Sequence, residues 1–329
     1  LSWSDGVLSD FESPRNSTSL GGYKELTDRR TDLIFDLKTR YDAKINEDFS
    51  FTPTIGFNSI QEQFRQVAGQ TVGGLVVPEF YDLSNSVENP LATNASSLYR
   101  LFGVYANASL GFKNFLFAEY SARNDWSSTL PKTKRDFFYQ GGGLSFVPTN
   151  MGNFDVNPIS FLKLRASIGT AGKDAPKYRL NSNYVFNPLI LDYGDDYQVR
   201  FPFDGKPGAT KSEIIGNADL KPELSVTSEF GIDLGLLKDR INLEYTYYII
   251  DSKNQIVDVN IPWSSGYRIA PTNIGRMENK GHELGLRITA VHNKLIDWKI
   301  FGTWSKNKNT VKTILENDSN KDELNIFTS

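Results

Sequence analysis

Residues 100–112 read Arg-Leu-Phe-Gly-Val-Tyr-Ala-Asn-Ala-Ser-Leu-Gly-Phe. Phe102, Val104, Ala106, Ala108, Leu110 and Phe112 occupy one set of alternate positions, and Gly103, Tyr105, Asn107, Ser109 and Gly111 occupy the other. A period of two places these sets on opposite faces of a β-strand, one suited to an apolar medium and one to a polar medium. Only Lys113-Asn114 separates this run from the next, which begins at Phe115, so the two strands form a tight hairpin.

The same alternation recurs along the chain. Leu33, Phe35, Leu37 and Tyr41 oppose Asp36, Lys38, Arg40 and Asp42, and Phe49, Phe51, Ile55 and Phe57 follow a short turn. Leu162, Leu164, Ala166 and Ile168 oppose Lys163, Arg165 and Ser167. Phe230, Ile232, Leu234 and Leu236 lead across Lys238-Asp239 to Ile241, Leu243, Tyr245, Tyr247 and Ile249. Leu284, Leu286, Ile288 and Ala290 precede a last run over 298–311. This predicts about ten antiparallel strands, most of about 10–14 residues, longer than the mode of about 5–6 in soluble sheets.

The connections alternate in length. Short links fall near 44–48, 113–114, 148–160, 237–239 and 292–296, and long ones near 59–97, 127–136, 174–223 and 252–279. Short turns at one end, long loops at the other and strands long enough for a tilted crossing describe a transmembrane β-barrel, with turns in the periplasm and loops outside. Residues 1–30 and 312–329 would both fall on the long-loop side. The chain is therefore expected to be an interior piece of a larger barrel, since open sheet edges cannot face lipid. The rival fold is a soluble, secreted β-module that binds carbohydrate, with the apolar faces as its core.

Composition narrows the function. The 329 residues carry a net charge of -3, no Cys and two His, with 13% aromatic residues and 26 Gly. The charge argues against a nucleic-acid binder, and the lack of Cys excludes disulfides, zinc ribbons and thiol catalysis within these residues. No run approaches the roughly 18 apolar residues of a membrane helix. His282 and His292 stand ten positions apart on the apolar face of one strand, about 33 Å at strand rise, too far to share a metal. Asp192, Asp195 and Asp196 lie in the longest loop and read as solvated carboxylates. Gly141-Gly142-Gly143 lacks the Lys and helix of a phosphate loop and reads as a close backbone approach in the wall. No catalytic residue, metal or cofactor is expected.

Aromatic residues carry the remaining signal. Tyr245, Tyr247, Tyr248, Trp298 and Trp304 fall near strand ends, where girdles mark membrane interfaces. Trp126, Tyr193, Tyr197, Trp263 and Tyr267 read as loop residues able to stack on a sugar or contact a peptide, and they are the candidate substrate-binding residues.

Several segments resemble the SusC/RagA group of TonB-dependent outer-membrane transporters. They are Asn217-Ala-Asp-Leu-Lys-Pro-Glu223 with Glu229, Gly231 and Asp233, the strand bearing Tyr247-Tyr248, and Pro262 with Ser265-Gly266-Tyr267. Asn273-Ile-Gly275, Asn279-Lys-Gly-His-Glu283 and Leu162-Lys-Leu-Arg-Ala-Ser-Ile-Gly169 complete the set, in an order that covers roughly residues 98–311. The resemblance implies a cell outer-membrane barrel of 22 strands around an N-terminal plug, opened by the TonB complex and lidded by a SusD-like lipoprotein. It implies import of an oligosaccharide or oligopeptide without covalent chemistry; a siderophore or cobalamin receptor is the alternative within the class. Residues 1–329 are expected to be part of one barrel domain. The signal sequence, TonB box, plug and closing C-terminal strand are not recognised in it, so the TonB complex would act through an N-terminal part outside these residues. Gly281 and Gly285 are expected on the lumen side.

Overall fold

A computed structural model describes residues 2–9, 21–152, 154, 156–185, 191–192, 198–199, 206 and 208–313. Eleven strands form the wall: β1 Ser2–Ser9, β2 Tyr23–Arg40, β3 Phe49–Leu75, β4 Ser86–Phe112, β5 Leu116–Ser127, β6 Asp136–Phe146, β7 Ile159–Lys173, β8 Glu223–Leu236, β9 Ile241–Lys253, β10 Arg276–His292 and β11 Asp297–Thr313. They lie side by side in chain order, each antiparallel to the next, and the two-residue strand Ala43–Lys44 adds a twelfth member against β3. The sheet is open, because β1 and β11 do not pair with each other.

Register turns the sequence alternation into two chemically distinct faces. One cross-strand row over β5–β11 reads Leu116, Phe146, Leu164, Ile232, Tyr245, Leu284 and Trp304. Its counterpart on the other face, over β4–β11, reads Ser109, Glu119, Gly143, Ser167, Glu229, Tyr248, Gly281 and Asn307. The apolar face is bare: Leu33 is 61% exposed and Ile168 59%. A soluble sandwich would cover such a face with a second sheet, whereas a belt of this extent in water would be an aggregation liability. The face fits lipid instead, and the soluble-module alternative fails here.

Three expectations about the wall need correction. The long link near 59–97 does not exist: β3 runs to Leu75, β4 starts at Ser86, and only 76–85 connect them. Residues 1–30 do not all precede the first strand, since Ser2–Ser9 pairs with Tyr23–Arg30 as an additional hairpin. The first described strand therefore starts part-way up the wall, opposite Arg30, while β11 finishes at the long-loop end. The cause lies in the upper parts of β2, β3 and β4. Gln61-Glu62-Gln63 and Asp28-Arg29-Arg30 are paired strand residues with charge or amide groups on both faces. A tilted strand crosses the hydrocarbon in about 9–11 residues, so a 27-residue strand projects well beyond it. Hydropathy stops alternating there because both faces are wet.

The third correction concerns His292. A one-residue irregularity between Thr289 and Val291 pairs Val291 with Trp298 and His292 with Asp297. His292 thus shares a face with Asp297, whose carboxylate lies 3.4 Å from its Nδ1, rather than with His282. His282 stays on the apolar face, where its Nδ1 meets the Tyr245 hydroxyl at 2.7 Å and its ring packs on Tyr247.

Candidate functional site: the polar face and its loops

The cavities of the described wall open on the polar face. One of 730 Å³ is lined by Thr54, Asn107, Glu119, Ser121, Gly141 and Gly169, among others. Another of 730 Å³ lies further along the wall, over Arg165, Glu229, Glu244, Tyr248, Glu283 and Ser305. Gly141 pairs with Gly169 and Gly143 with Ser167, so this part of the wall presents backbone and small hydroxyls to the cavity. A Cβ on Gly141 would lie 3.1 Å from the Gly169 backbone, which accounts for the glycine run by close strand approach.

Other inward glycines receive large neighbours. The Tyr248 ring lies over Gly281, where a Cβ would stand 2.4 Å from the ring, and Tyr105 lies in the same way over Gly56. Gly281 and Gly285 are on the polar face as expected, but the space beside Gly281 is already filled. Tyr248 itself faces inward, unlike Tyr245 and Tyr247, and does not belong to the outward girdle. Trp298 and Trp304 do face outward and are 57% and 53% exposed.

The charges on this face are partly paired. Arg123 holds Asp125 at 2.7 Å, and the Tyr139 hydroxyl donates to the same carboxylate at 2.6 Å. Gly103 stands opposite and leaves room for that carboxylate. Tyr105 lies beneath the Arg123 guanidinium and donates to Asp36 at 3.1 Å. Arg165 reaches Asp233 at 3.6 Å and donates to Thr246 at 2.6 Å. Among the described residues, no side-chain hydrogen bond or ion pair involves the carboxylates of Glu119, Glu229, Glu244 or Glu283. A strip of polar wall with unpartnered carboxylates suits a hydrated path and is poor at holding an apolar guest.

Above the wall, the loops are tied together. Asn217 donates from Nδ2 to the Pro271 carbonyl at 2.9 Å, and Asn273 donates to the carbonyls of Lys221 and Asn254, each at 2.8 Å. The Asn273 Oδ1 accepts from the Lys221 amide at 2.8 Å. Leu220 between them is fully buried against Leu130, Phe137 and Ala175. The Asn217–Glu223 segment is therefore a clasp between the 174–222 loop and the hairpin of Ile256–Asn260 with Ile269–Asn273.

The candidate binding residues are not all brought together. Trp263 and Tyr267 sit at the tip of that hairpin, Trp263 68% exposed with Arg268 over its ring at 4.7 Å. Lys211 stands 3.6 Å above the Tyr267 ring, and hydrogen bonds from Ser182 and Lys211 hold the Tyr267 phenol below its ordinary pKa. Trp126 is not in a loop: it lies in β5 and stacks at 4.8 Å on Phe102, on the outward face. Tyr193, Tyr197, Asp195 and Asp196 lie outside the described residues, and of Asp192 only the backbone pairing with Gln198 is described. The clasp asparagines and Leu220 were missed as elements of the site, because a loop residue buried by its neighbours has no periodic signal.

A family model described as "TonB dependent receptor-like, beta-barrel" matches residues 2–326. TonB-dependent receptor P3 of Formosa agariphila is 27% identical over 222 residues, covering 66% of this chain and 21% of the relative. TonB-dependent receptor SusC of Bacteroides thetaiotaomicron is 28% identical over 162 residues, covering 48% of this chain and 16% of SusC. Among solved structures, that of the RagAB peptide transporter superposes with a TM-score of 0.75 at 24% identity, covering 92% of this chain and 33% of the matched one. The chain thus spans a third or less of each of these relatives, and the likeness to RagAB is one of fold. With the bare apolar belt, the polar inner face and the match along nearly all of its length, the chain belongs to the TonB-dependent receptor-like β-barrel family, whose members reside in the outer membrane and are not enzymes.

Proposed function

We propose that these residues form part of the barrel wall of a TonB-dependent importer that takes up an oligosaccharide or an oligopeptide together with a SusD-like surface lipoprotein. The observation that carries this reading is the inward face, a continuous polar row from Ser109 to Asn307 over eight strands, bordered by cavities and backed by an apolar belt. The similarity to SusC and the fold shared with the RagAB peptide transporter support the substrate class and the lipoprotein partner. The plug and the remaining strands would complete the barrel, and the TonB complex would act through that plug.

Within this reading the loops make first contact. Trp263 and Tyr267 offer flat faces flanked by cations, suited to a sugar ring or an amide. Tyr193 and Tyr197, which the sequence places in the 174–222 connection, are assigned the same role. Trp126 is left out, because its ring is on the membrane side.

The test uses the intact transporter extracted from its membrane with whatever accompanies it. The preparation is incubated, separately, with a mixture of oligosaccharides, with a tryptic digest and with a set of ferric siderophores, and retained material is identified by mass spectrometry. Retention of one class, with a co-purifying lipid-modified protein, supports the reading. Retention of a ferric siderophore instead, with no lipoprotein, would replace it with the alternative. Trp263→Ala is expected to weaken retention about tenfold, equivalent to about 1.4 kcal/mol.

A further inference from the structure

The segment that leaves β7 turns back over the ends of β5, β4 and β3 rather than continuing into the next wall strand. In the sheet, β4, β5 and β6 separate β7 from β3, so the path along the wall is about 19 Å at a strand spacing of about 4.8 Å. Lys177 is four residues beyond the end of β7, and its Nζ lies 3.2 Å from Glu62 in β3. Four residues reach at most about 14 Å, and the Lys177 and Glu62 side chains cover the rest of that span along the inner face.

Contacts along the way agree. Asp174 accepts from Thr129 at 3.0 Å and from Ser127, with the Tyr99 hydroxyl beside it. Lys177 lies over the Tyr99 ring at 5.4 Å, and Glu62 is also 3.7 Å from Arg30. The Tyr178 hydroxyl accepts from the Leu98 amide at 2.9 Å. Ala175 and Leu220 pack on Phe137, with Leu101, Tyr139 and Leu180 around them. Leu101, Phe137 and Tyr139 all belong to the inward register. The buried apolar cluster of this chain thus lies inside the curve of the wall, at the loop end. A barrel wall facing lipid has no need of an internal core, so this one serves the loop.

We propose that Asp174–Leu180 is a fixed strap across the outer mouth of the lumen. It screens the inner face between β3 and β7, including Asp125 with Arg123 and Tyr139, from the extracellular side. The inference rests on the barrel reading, which makes the polar face a lumen. A strap held at both ends, with a half-buried, hydrogen-bonded carboxylate at one and an ion pair at the other, stays closed while solute passes.

Thiol labelling in cells that express the full-length transporter tests this. None of the 329 residues is Cys. Ala175→Cys probes the buried side of the strap, Leu130→Cys probes the same cluster from its other side, and Ser264→Cys on the exposed hairpin tip is the reference. With a membrane-impermeant maleimide, Ser264→Cys is expected to label at least tenfold faster than either buried thiol, in resting cells and during energised uptake alike. Adding Asp174→Ala and Lys177→Ala is expected to remove most of that difference and to leave Ser264→Cys unchanged. Equal labelling of all three in resting cells would mean that no strap exists. Labelling of Ala175→Cys and Leu130→Cys only during energised uptake would make the segment a moving gate and overturn its fixed character. The resting-cell comparison does not depend on what the protein imports, so its failure is distinct from failure of the transport reading.

Discussion

At the level of single residues, inward glycines act as sockets. Gly281 accommodates the Tyr248 ring and Gly56 the Tyr105 ring, so each tyrosine lies flat along the neighbouring strand and leaves the lumen clear. Gly281→Val would push Tyr248 off and is expected to cost about 1–3 kcal/mol, as overpacking does. Tyr248→Ser should recover most of that loss, which the unfolding midpoint of the detergent-solubilised transporter would report. The inward position of Gly281 was legible from parity, but its occupant was not, because a ring lying across a strand boundary has no local sequence signature.

A second residue-level case is Asp82. Its carboxylate accepts from the Ser84 amide at 2.8 Å and from the Ser84 hydroxyl at 2.6 Å, which hold its pKa below the usual carboxylate range. A lowered native pKa means that these two hydrogen bonds are fully formed above the unfolded value, about 3.9, and are lost as pH falls through the native one. Amide exchange at Ser84, corrected for its intrinsic pH dependence, should rise in that acid window. Asp82→Asn, which cannot titrate, should abolish the rise.

At the scale of elements, loop order comes from the clasp rather than from the loops' own propensities. Asn217→Ala leaves the Pro271 carbonyl without its donor and is expected to cost about 1–3 kcal/mol locally. Hydrogen exchange should then increase in both the 208–222 segment and the 256–273 hairpin, since each is the other's support. Faster exchange in one alone would mean that the two are independent. The segment 217–223 was recognisable as a family signature, yet its physical role depends on Asn273, some 50 residues away in the chain. The strands show the same limit. Within the apolar belt their alternation reveals both faces, as at 100–112, but at Gln61-Glu62-Gln63 both faces meet water and the pattern vanishes. The bulge before Val291 left no trace in the hydropathy of β10.

At the scale of the molecule, the belt separates a membrane wall from a soluble sheet. Ile232→Arg, inside the belt, is expected to destabilise by about 2–4 kcal/mol, and Leu236→Arg beside the short turn by about 1 kcal/mol or less. A soluble core would give no such gradient with depth. Equilibrium unfolding in lipid vesicles would measure it. Fold class and the family resemblance were legible because lipid imposes one rule on every strand at once. The inward path of Asp174–Leu180 was not legible, because it depends on which side of a curved sheet a polar loop falls.

The neighbour-to-neighbour order of the strands also bears on damage. Each strand is held to the next by a ladder, with β3 and β4 paired from Phe49–Phe112 up to Leu75–Ser86. The covalent link over 76–85 is thus redundant once the ladder exists. A protease that cut there would yield two polypeptides that still migrate as one species on an unheated gel and separate only on boiling. Such a receptor can be nicked at its surface and remain sealed, and its mass in a denaturing experiment need not report the state of the wall.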